Sequence, residues 1–330
     1  MQAKRNIVFY CVLVYNKPIF EIGGTKVRFK NEFVGLTVKE ILIDKLGFSK
    51  RAITALKARP DGILVNGTHA TVRAKIKDGD VLEINADDKG TDSKRLVPSS
   101  TEPDIIFEDE QIVAVNKPPF MPTHQSQGHF YDTLANSLAY YYSRQCRPFV
   151  FRSVNRLDRN TSGIVLVAKD RISSSRLSEQ MKNDKISKSY IAILEGHLPC
   201  DEGIIDAYIR RREKSIILRE VCEKQDDAKA AVTKYRVLAK SDRLSLVEAV
   251  PVTGRTHQLR VHFSHLGAQI LGDDLYGKAS SLIERHALHA YRLSFTHPQS
   301  DVQMTLYAPL PDDMNKIIEK EFGKEFFNYG

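Results

Sequence analysis

The chain has 330 residues, of which 42% are hydrophobic and 27% are charged, and its formal net charge is +8. This composition is typical of a soluble globular protein with more than one domain, and the positive charge favours a polyanionic partner. The cysteines show no C-x-x-C spacing, which argues against a structural zinc site and for a reducing cytosol. They are Cys11, Cys146, Cys200 and Cys222.

An apolar run at residues 7–15 follows two basic residues, an arrangement that is shared with signal peptides. The run lacks a small-residue cleavage site and is too short to span a bilayer. We therefore predict a strand or a loosely ordered leader, a cytoplasmic protein and no membrane segment. Residues 19–33 alternate between apolar and polar around Gly23 and Gly24, which predicts a hairpin.

The next elements predict a small unit over residues 33–85. An apolar stripe with helical spacing begins after Thr37, a suitable N-cap, and stops at Gly47. Ser49 is a suitable cap for a second helix over residues 50–59, which a Pro-Asp-Gly sequence ends.

Strands are predicted at residues 63–67 and 78–84, with a turn at Asn66 and Gly67. The preceding helix carries four basic residues and no acidic one, which is compatible with a solvated face or with a phosphate-binding face. These four residues are Lys50, Arg51, Lys57 and Arg59.

Residues 86–103 have the composition of a linker and predict a domain boundary. Residues 105–119 then predict two strands and a turn. The sequence NRLDRNTSG at residues 155–163 places Asp158 between two arginines, directly before an apolar, β-branched run that predicts a buried strand. The arginines favour the ionised carboxylate. Asp158 is therefore either a carboxylate aimed into a cleft or a member of surface ion pairs.

Beyond this strand, residues 173–181 predict a helix and residues 188–196 predict a further strand. Tyr190 on that strand is either an ordinary core residue or a residue that faces a site. A basic run at residues 210–214 suits a loop that faces phosphates.

Three histidines occur in the sequence GRTHQLRVHFSHLG at residues 254–267. His257 and His262 are outside the spacing that places two ligands on one helix face, and the pair of His262 and His265 lacks the carboxylate of a metalloprotease. We therefore expect no metal. Since the chain also lacks a Gly-rich phosphate loop and a dinucleotide fingerprint, we expect no nucleotide cofactor.

Several of these segments resemble the signatures of the pseudouridine synthases that modify ribosomal large-subunit RNA. RLDRNTSG resembles the signature whose Asp is catalytic, here Asp158, with Asn155 where the family usually has His. Residues 105–119 resemble the first signature of the family. Residues 188–192 resemble its Lys-x-Tyr-x-Ala pattern, whose tyrosine stacks on the target base. In the GRTHQ signature the arginine of the family, here Arg255, pairs with the catalytic Asp.

A second resemblance covers residues 33–85, which are similar to the small RNA-binding module named after ribosomal small-subunit protein four. In that module the basic second helix lies on the RNA phosphates. Together the two resemblances imply an α+β fold, in which a mixed, largely antiparallel sheet forms the catalytic domain and a small α/β module precedes it. The implied division is a leader or hairpin at residues 1–32, the module at 33–85, a linker at 86–103 and the catalytic domain at 104–330.

The implied activity is isomerisation of uridine to pseudouridine in structured RNA, by a monomer without cofactors whose partner is large-subunit ribosomal RNA. The implied catalytic residues are Asp158, Tyr190 and Arg255. Asp158 would either add to the anomeric carbon of the sugar or remove a sugar proton. Arg156 would fill the space that the flipped base leaves. Further contacts to RNA are expected from Lys50, Arg51, Lys57, Arg59, Lys117, Lys188, His257, Gln258 and Arg260.

Two other functions are compatible with parts of this pattern. A non-catalytic RNA-binding or ribosome-assembly protein would fit the basic module, but it would have no use for Asp158, Tyr190 and Arg255 together. A nucleoside or glycoside hydrolase generally uses two carboxylates near the bond, and the sequence offers one.

Overall fold

The structure is a computed structural model in which residues 26–30, 33–48, 50–85 and 96–323 are described. The predicted apolar leader, the turn at Gly23 and Gly24, the Ser49 cap and most of the predicted linker lie outside these residues. No helix in the described part of the chain has the length and apolar character needed to cross a membrane.

The N-terminal unit is a four-stranded antiparallel sheet with the strand order β1-β4-β2-β3. Its strands are β1 (Lys26–Lys30), β2 (Ile63–Val65), β3 (Thr68–His69) and β4 (Val81–Asn85). Its helices are α1 (Val38–Glu40), which continues as a π-helical turn (Ile41–Lys45), and α2 (Lys50–Lys57). Because β1 pairs with β4, this sheet includes residues ahead of position 33, the predicted start of the module.

Local sequence signals explain the ends of these elements. Thr37 caps α1 in a capping box: its hydroxyl accepts from the Glu40 amide, and the Glu40 carboxylate accepts from the Thr37 amide at 2.7 Å. Asn66 and Gly67 both have positive φ, 53° and 75°, in the turn that joins β2 to β3, as predicted. The apolar stripe of the first helix is buried in the core of this unit, with Ile41, Leu42, Leu46, Leu56 and Ile84.

The C-terminal unit is an eleven-stranded sheet with the order β11-β10-β12-β13-β9-β14-β8-β6-β5, to which β15 pairs at β14 and β7 at β8. Among the described strands of this sheet, β14 pairs with β8 in parallel and the other pairings are antiparallel. The predicted α+β class with a mixed, largely antiparallel sheet is confirmed. The strands are β5 (Ile105–Glu108), β6 (Ile112–Lys117), β7 (Arg152–Ser153), β8 (Ser162–Ala168), β9 (Ser187–Glu195), β10 (Glu202–Arg211), β11 (Arg219–Cys222), β12 (Lys229–Lys240), β13 (Leu244–Pro251), β14 (Leu288–Thr296) and β15 (Gln303–Tyr307).

Helices cover this sheet, and they are α3 (Leu134–Arg144), α4 (Arg171–Lys182), α5 (Gln258–His265) and α6 (Asp312–Phe322). Strand β8 is buried along its whole length because its alternate side chains enter two different cores. Val165 and Val167 pack on one face, and Ile164 and Leu166 pack on the other. Burial on both faces explains why the sequence of this strand is continuously apolar.

Strand β14 lies between β9 and β8, and it brings the loop ahead of β8 close to β9. At this pairing Gly163 has a φ of +113°, and a Cβ at that position would lie 2.2 Å from the Ala290 carbonyl oxygen. A glycine is therefore required where β8 meets β14. Asp158 precedes β8 and Tyr190 lies on β9, so this junction determines their spacing.

Helix α4 also contacts the N-terminal unit. The Ser175 hydroxyl donates to the Gly47 carbonyl, and Ile172 packs against the core of that unit. Residues 97–101 lie along α3, where Asn136 Nδ2 donates to the Val97 carbonyl at 2.7 Å and Ser137 Oγ donates to the Thr101 carbonyl at 2.8 Å. The end of the predicted linker therefore belongs structurally to the C-terminal unit.

Candidate active site

Asp158 lies in the turn between β7 and β8, at an open cleft of about 650 Å³. Its side chain is 34% exposed. The loop is held on both sides, because the Thr161 amide donates to the Asp158 carbonyl at 3.1 Å and the Thr123 hydroxyl exchanges hydrogen bonds with the backbone of Leu157. The carboxylate is therefore presented to the cleft on a fixed backbone.

Asn155 connects the same loop to the sheet. Its Nδ2 donates to the Ile164 carbonyl and its Oδ1 accepts from the Leu166 amide, both at 2.9 Å. The amide side chain thus pairs with the backbone of β8 as a neighbouring strand would. This contact is the structural role of the residue that departs from the usual His of the resembling signature.

Arg260 is the arginine that contacts the Asp158 carboxylate, at 3.6 Å from Nη1 to Oδ2. Its orientation is fixed by a bidentate pair with Asp273, whose two oxygens accept from Nε and Nη2 at 2.7 and 2.6 Å. Both members of this pair are buried. Since Nε and Nη2 are occupied, Nη1 is the nitrogen directed at Asp158.

The expected pairing of Arg255 with Asp158 is wrong in this structure. Arg255 is exposed in the turn ahead of α5, and its Nε donates to the Ala230 carbonyl on β12 at 2.9 Å. Arg260 lies instead on the buried first turn of α5. The two arginines belong to one sequence motif, but α5 begins between them. The side chain of Arg255 therefore contacts β12, whereas that of Arg260 contacts Asp158.

His257 is the second group beside Asp158, with 3.7 Å between Nε2 and Oδ2. Its Nδ1 lies 2.8 Å from the Tyr276 hydroxyl, which itself accepts from the Arg219 amide. The phenol proton is therefore directed at Nδ1, and this tautomer leaves a protonated Nε2 facing Asp158. Burial lowers the pKa of His257 and therefore favours the neutral ring. The charge of Asp158 acts in the opposite direction but is the smaller effect.

Tyr190 and Lys188 are on the same face of β9, and both line the cleft. Burial and the charge of Asp158 raise the pKa of the Tyr190 phenol above its usual value, so the hydroxyl stays protonated at neutral pH. Burial also lowers the pKa of the Lys188 ammonium. Tyr190 is 9% exposed and presents a small part of its ring to the cleft.

Three of the residues expected to contact RNA are buried, namely Arg260, Lys117 and Gln258. Lys117 has no exposed surface, and its Nζ donates to the carbonyls of Pro118, Met121 and Arg159 at 2.8, 2.7 and 3.2 Å. Burial, with the nearby Arg285, lowers the pKa of Lys117 to about 7. Lys117 thus joins the loop after β6 to the loop that carries Asp158, and it is not a surface cation.

Gln258 is buried and uses both ends of its amide. Its Oε1 accepts from the Thr253 hydroxyl and the Arg255 amide, and its Nε2 donates to Val232 and Thr233 on β12. The residue therefore holds the turn ahead of α5 against the sheet. Gln258 lines the cleft, but its amide is engaged within the protein, so its expected contact with RNA stays a prediction.

The remaining predicted contacts lie in two regions. Arg156 is exposed and lines the cleft beside Asp158. Lys50 and Lys57 are exposed on α2. Arg59 lies beyond the end of α2 and contacts Asp61 at 3.3 Å, so part of its charge is used within the unit. The side chain of Arg51 lies outside the described part of the chain.

Sequence reasoning assigned no role to three residues that support the site. Asp273 orients Arg260, and Tyr276 orients His257 and stacks with its ring 5.1 Å from the Arg260 guanidinium. His286 is buried 2.7 Å from the Thr161 hydroxyl, and burial lowers its pKa to about 3. No spacing rule connects these residues to Asp158. Among the described residues, no group of three or more His, Cys, Asp or Glu is placed to hold a metal ion.

The site thus presents a carboxylate, held by a buried guanidinium and a histidine ring, to an open cleft. Residues 111–265 match the family model described as RNA pseudouridylate synthase. The chain is 39% identical over 286 residues to the uncharacterized RNA pseudouridine synthase YjbO of Bacillus subtilis, over 87% of this chain and 99% of that protein.

Other relatives agree with this match. The chain is 36% identical over 247 residues to the ribosomal large subunit pseudouridine synthase D of Zymomonas mobilis, over 67% of this chain and 75% of that protein. The solved structure of human RNA pseudouridylate synthase domain containing 1 superposes with a TM-score of 0.55 at 27% identity, over 65% of this chain and 87% of that one.

The chain belongs to the RNA pseudouridylate synthase family. It is an RNA pseudouridine synthase, an isomerase whose substrate is RNA, as the resemblance of its motifs implied.

Proposed function

We propose that the protein converts uridine to pseudouridine in structured large-subunit ribosomal RNA, with Asp158 as the group that acts on the nucleoside. The observation that carries this proposal is the contact of Asp158 with Arg260, 3.6 Å apart, in which Asp273 fixes the guanidinium. The names of relatives, ribosomal large subunit pseudouridine synthases C and D, support the choice of RNA.

The reaction breaks the bond between the sugar and N1 of uracil, turns the base and forms a bond to carbon 5. Asp158 either adds to the anomeric carbon or removes a sugar proton, and both steps use the carboxylate as an anion. Arg260 and the Nε2–H of His257 hold that anion in position before the substrate enters, which reduces reorganisation during the reaction.

The base must leave its stack to reach the cleft, at a cost of roughly a few kcal/mol. The ring of Tyr190 stacks on the base, and its protonated hydroxyl is available as a hydrogen-bond donor. Arg156, exposed beside Asp158, fills the space that the base vacates. Lys188 lies on the same face of β9 as Tyr190 and contacts the nucleotide from below.

Recruitment belongs to the N-terminal unit, which includes β1 and ends with β4 at Asn85, and the chemistry belongs to the C-terminal unit, which includes residues 97–101. Lys50 and Lys57 on α2 contact phosphates without reading sequence. The proposal includes a monomer that acts in the cytoplasm, where relatives named as ribosomal large subunit synthases would meet their RNA.

The experiment compares Asp158→Asn with Asp184→Asn, which removes another carboxylate that lines the same cleft. Each variant is incubated with total RNA from cells that lack the protein, and pseudouridines are mapped. We expect Asp158→Asn to abolish product while its affinity for RNA stays within several-fold, because many cations carry the binding. Asp184→Asn should retain turnover.

Turnover by Asp158→Asn at the wild-type rate would contradict the assigned role of Asp158. Wild-type product that appears in other RNAs and not in large-subunit ribosomal RNA would contradict the substrate and leave the chemistry standing.

A further inference from the structure

The connection between β10 and β11 ends in an exposed apolar tip, which we define as residues 212–218. Ile216 is 83% exposed and Ile217 is 54% exposed. Single exposed apolar side chains are common on proteins, but two adjacent large ones at the end of a projecting hairpin form a small continuous apolar surface.

The backbone of this tip is held in place. Ser215 Oγ accepts from the amides of Ile217 and Leu218 at 3.3 and 2.9 Å, and the Arg219 guanidinium donates to the carbonyls of the same two residues, both at 3.1 Å. The Arg212 amide donates to the Leu218 carbonyl at 3.0 Å and closes the loop. The two isoleucines are therefore presented to solvent at a fixed position.

The charges around the tip favour a polyanion. Residues 210–220 contain five cations and two carboxylates. The carboxylates of Glu213 and Glu220 are engaged with Arg210, whereas Arg211 and Lys214 are exposed. A nucleic acid is complementary to this surface, because its phosphates can pair with the cations and the flat faces of its bases can contact the apolar side chains.

The hairpin is also tied to the candidate active site. The Arg219 amide donates to the Tyr276 hydroxyl at 2.9 Å, and that hydroxyl contacts His257, which faces Asp158. Ile209 and Val221 at the base of the hairpin pack with Val261 of α5. With about 3.3 Å of strand for each residue from Ile216 to Arg219, and the contacts from Arg219 through Tyr276 and His257, Ile216 lies at most roughly 25 Å from Asp158, within the reach of one bound RNA segment.

We propose that the tip inserts Ile216 and Ile217 between stacked bases of the bound RNA, near the uridine that enters the cleft. Apolar side chains that enter a base step unstack it, which makes the neighbouring nucleotide easier to flip. This inference rests on the proposed active site at Asp158. The tip acts on the RNA stack and touches no reacting atom, so it is a positioning element that assists flipping.

The test uses the double variant Ile216→Ser/Ile217→Ser and two RNA oligonucleotides that share the sequence around a uridine modified by the wild type in total RNA. One oligonucleotide folds into a stem-loop and the other is unpaired. We expect kcat/KM on the stem-loop to fall about tenfold or more, because the stack is then opened without help. On the unpaired oligonucleotide we expect a change of less than about threefold.

Ile204→Ser is the matched control, since Ile204 on β10 is 64% exposed and away from the tip. It should keep wild-type rates on both oligonucleotides. Ile216→Leu/Ile217→Leu keeps the apolar volume and should restore activity on the stem-loop, which separates insertion from a folding defect.

Equal losses of the double variant on both oligonucleotides, or wild-type rates on both, would overturn the proposal. A failure of the proposed function is distinguishable, because in that case Asp158→Asn and the wild type would perform alike.

Discussion

Arg255 and Arg260 lie five positions apart in one motif, and Arg260 is the one that contacts Asp158. Resemblance identified the motif correctly, and the residue types in it pointed to an anion site. The sequence does not show where α5 begins, however, and the first turn of that helix decides which arginine faces inward. The contact of Arg260 with Asp273 could not be predicted either, because it is a tertiary contact between residues on different segments.

At this scale we predict different effects for the two arginines. Arg260→Gln should lower the rate constant of pseudouridine formation by about 10²–10³-fold, the usual loss when one preorganised donor is removed. Arg255→Gln should change it by less than about threefold, because the Arg255 guanidinium is bonded to the Ala230 carbonyl and does not contact Asp158, so no preorganised donor to the carboxylate is removed. Single-turnover kinetics measure both constants, and equal losses would contradict the assignment of Arg260.

Folding of the Arg260 variant needs its own control, because Arg260→Gln leaves Asp273 buried without its partner and destabilises the protein by about 3–5 kcal/mol. The double variant Arg260→Gln/Asp273→Asn removes both charges. It should recover most of the free energy of unfolding, measured in urea, while its rate stays low.

For strand β8 the sequence predicted burial but not the strands with which it pairs. Its apolar run was predicted as a buried strand, and both of its faces are indeed buried. The pairing with β14 was not predictable, because the two strands are distant in sequence and periodicity carries no register. The pairing explains why residue 163 is a glycine, since the backbone of Ala290 occupies the position of its Cβ.

We predict that Gly163→Ala destabilises the protein by more than about 3 kcal/mol, because the new Cβ would force β8 and β14 apart. Gly196→Ala is the matched control. Gly196 also has a positive φ, +84°, but nothing lies within 4 Å of its Cβ position. Gly196→Ala should therefore lower the free energy of unfolding by about 1 kcal/mol, from backbone strain alone. Urea unfolding distinguishes the two, and similar losses would show that conformation outweighs the close approach.

The segment that contains β14 also makes stability depend on pH. Burial lowers the pKa of His286 to about 3 and of His289 to about 4. Between about pH 4 and 6.5 the unfolded chain therefore binds more protons than the folded one, so stability rises with pH in this window and is fully present above it. For His289 the difference amounts to up to about 3 kcal/mol.

His289→Gln should accordingly flatten the dependence of the free energy of unfolding on pH between 4 and 6.5. The comparison is with the wild type. Urea titrations at several pH values measure the slope. The same slope in His289→Gln and in the wild type would show that His289 is not the group responsible.

At the scale of the whole molecule, the described residues form two sheets with separate cores, joined by contacts of α4 with the N-terminal unit. Composition and linker signals predicted two units. They did not predict that β1 completes the first sheet or that residues 97–101 lie along α3, because both features depend on hydrogen bonds between distant segments. A truncation that isolates the C-terminal unit should therefore end at residue 95.

Deletion of residues 1–95 should weaken RNA binding and flatten its salt dependence, since each lost phosphate contact changes the slope of log affinity against log salt by about 0.9 on a duplex. The truncated enzyme should still isomerise uridine when RNA is in excess. Lys50→Gln/Lys57→Gln in the full chain is the charge-only comparison and should lose about two contacts. Unchanged affinity and slope in both proteins would mean that α2 is a solvated surface.

The position of β14 between β9 and β8 has a consequence for biosynthesis. Asp158 and Tyr190 leave the ribosome early, but the strand that brings their segments together is made about a hundred residues later, a delay of roughly 5–20 s at usual rates of elongation. Until then the half-made chain has no complete cleft. Asp158 and Tyr190 are therefore brought to their final spacing only after β14 has been synthesised and has paired with both β8 and β9.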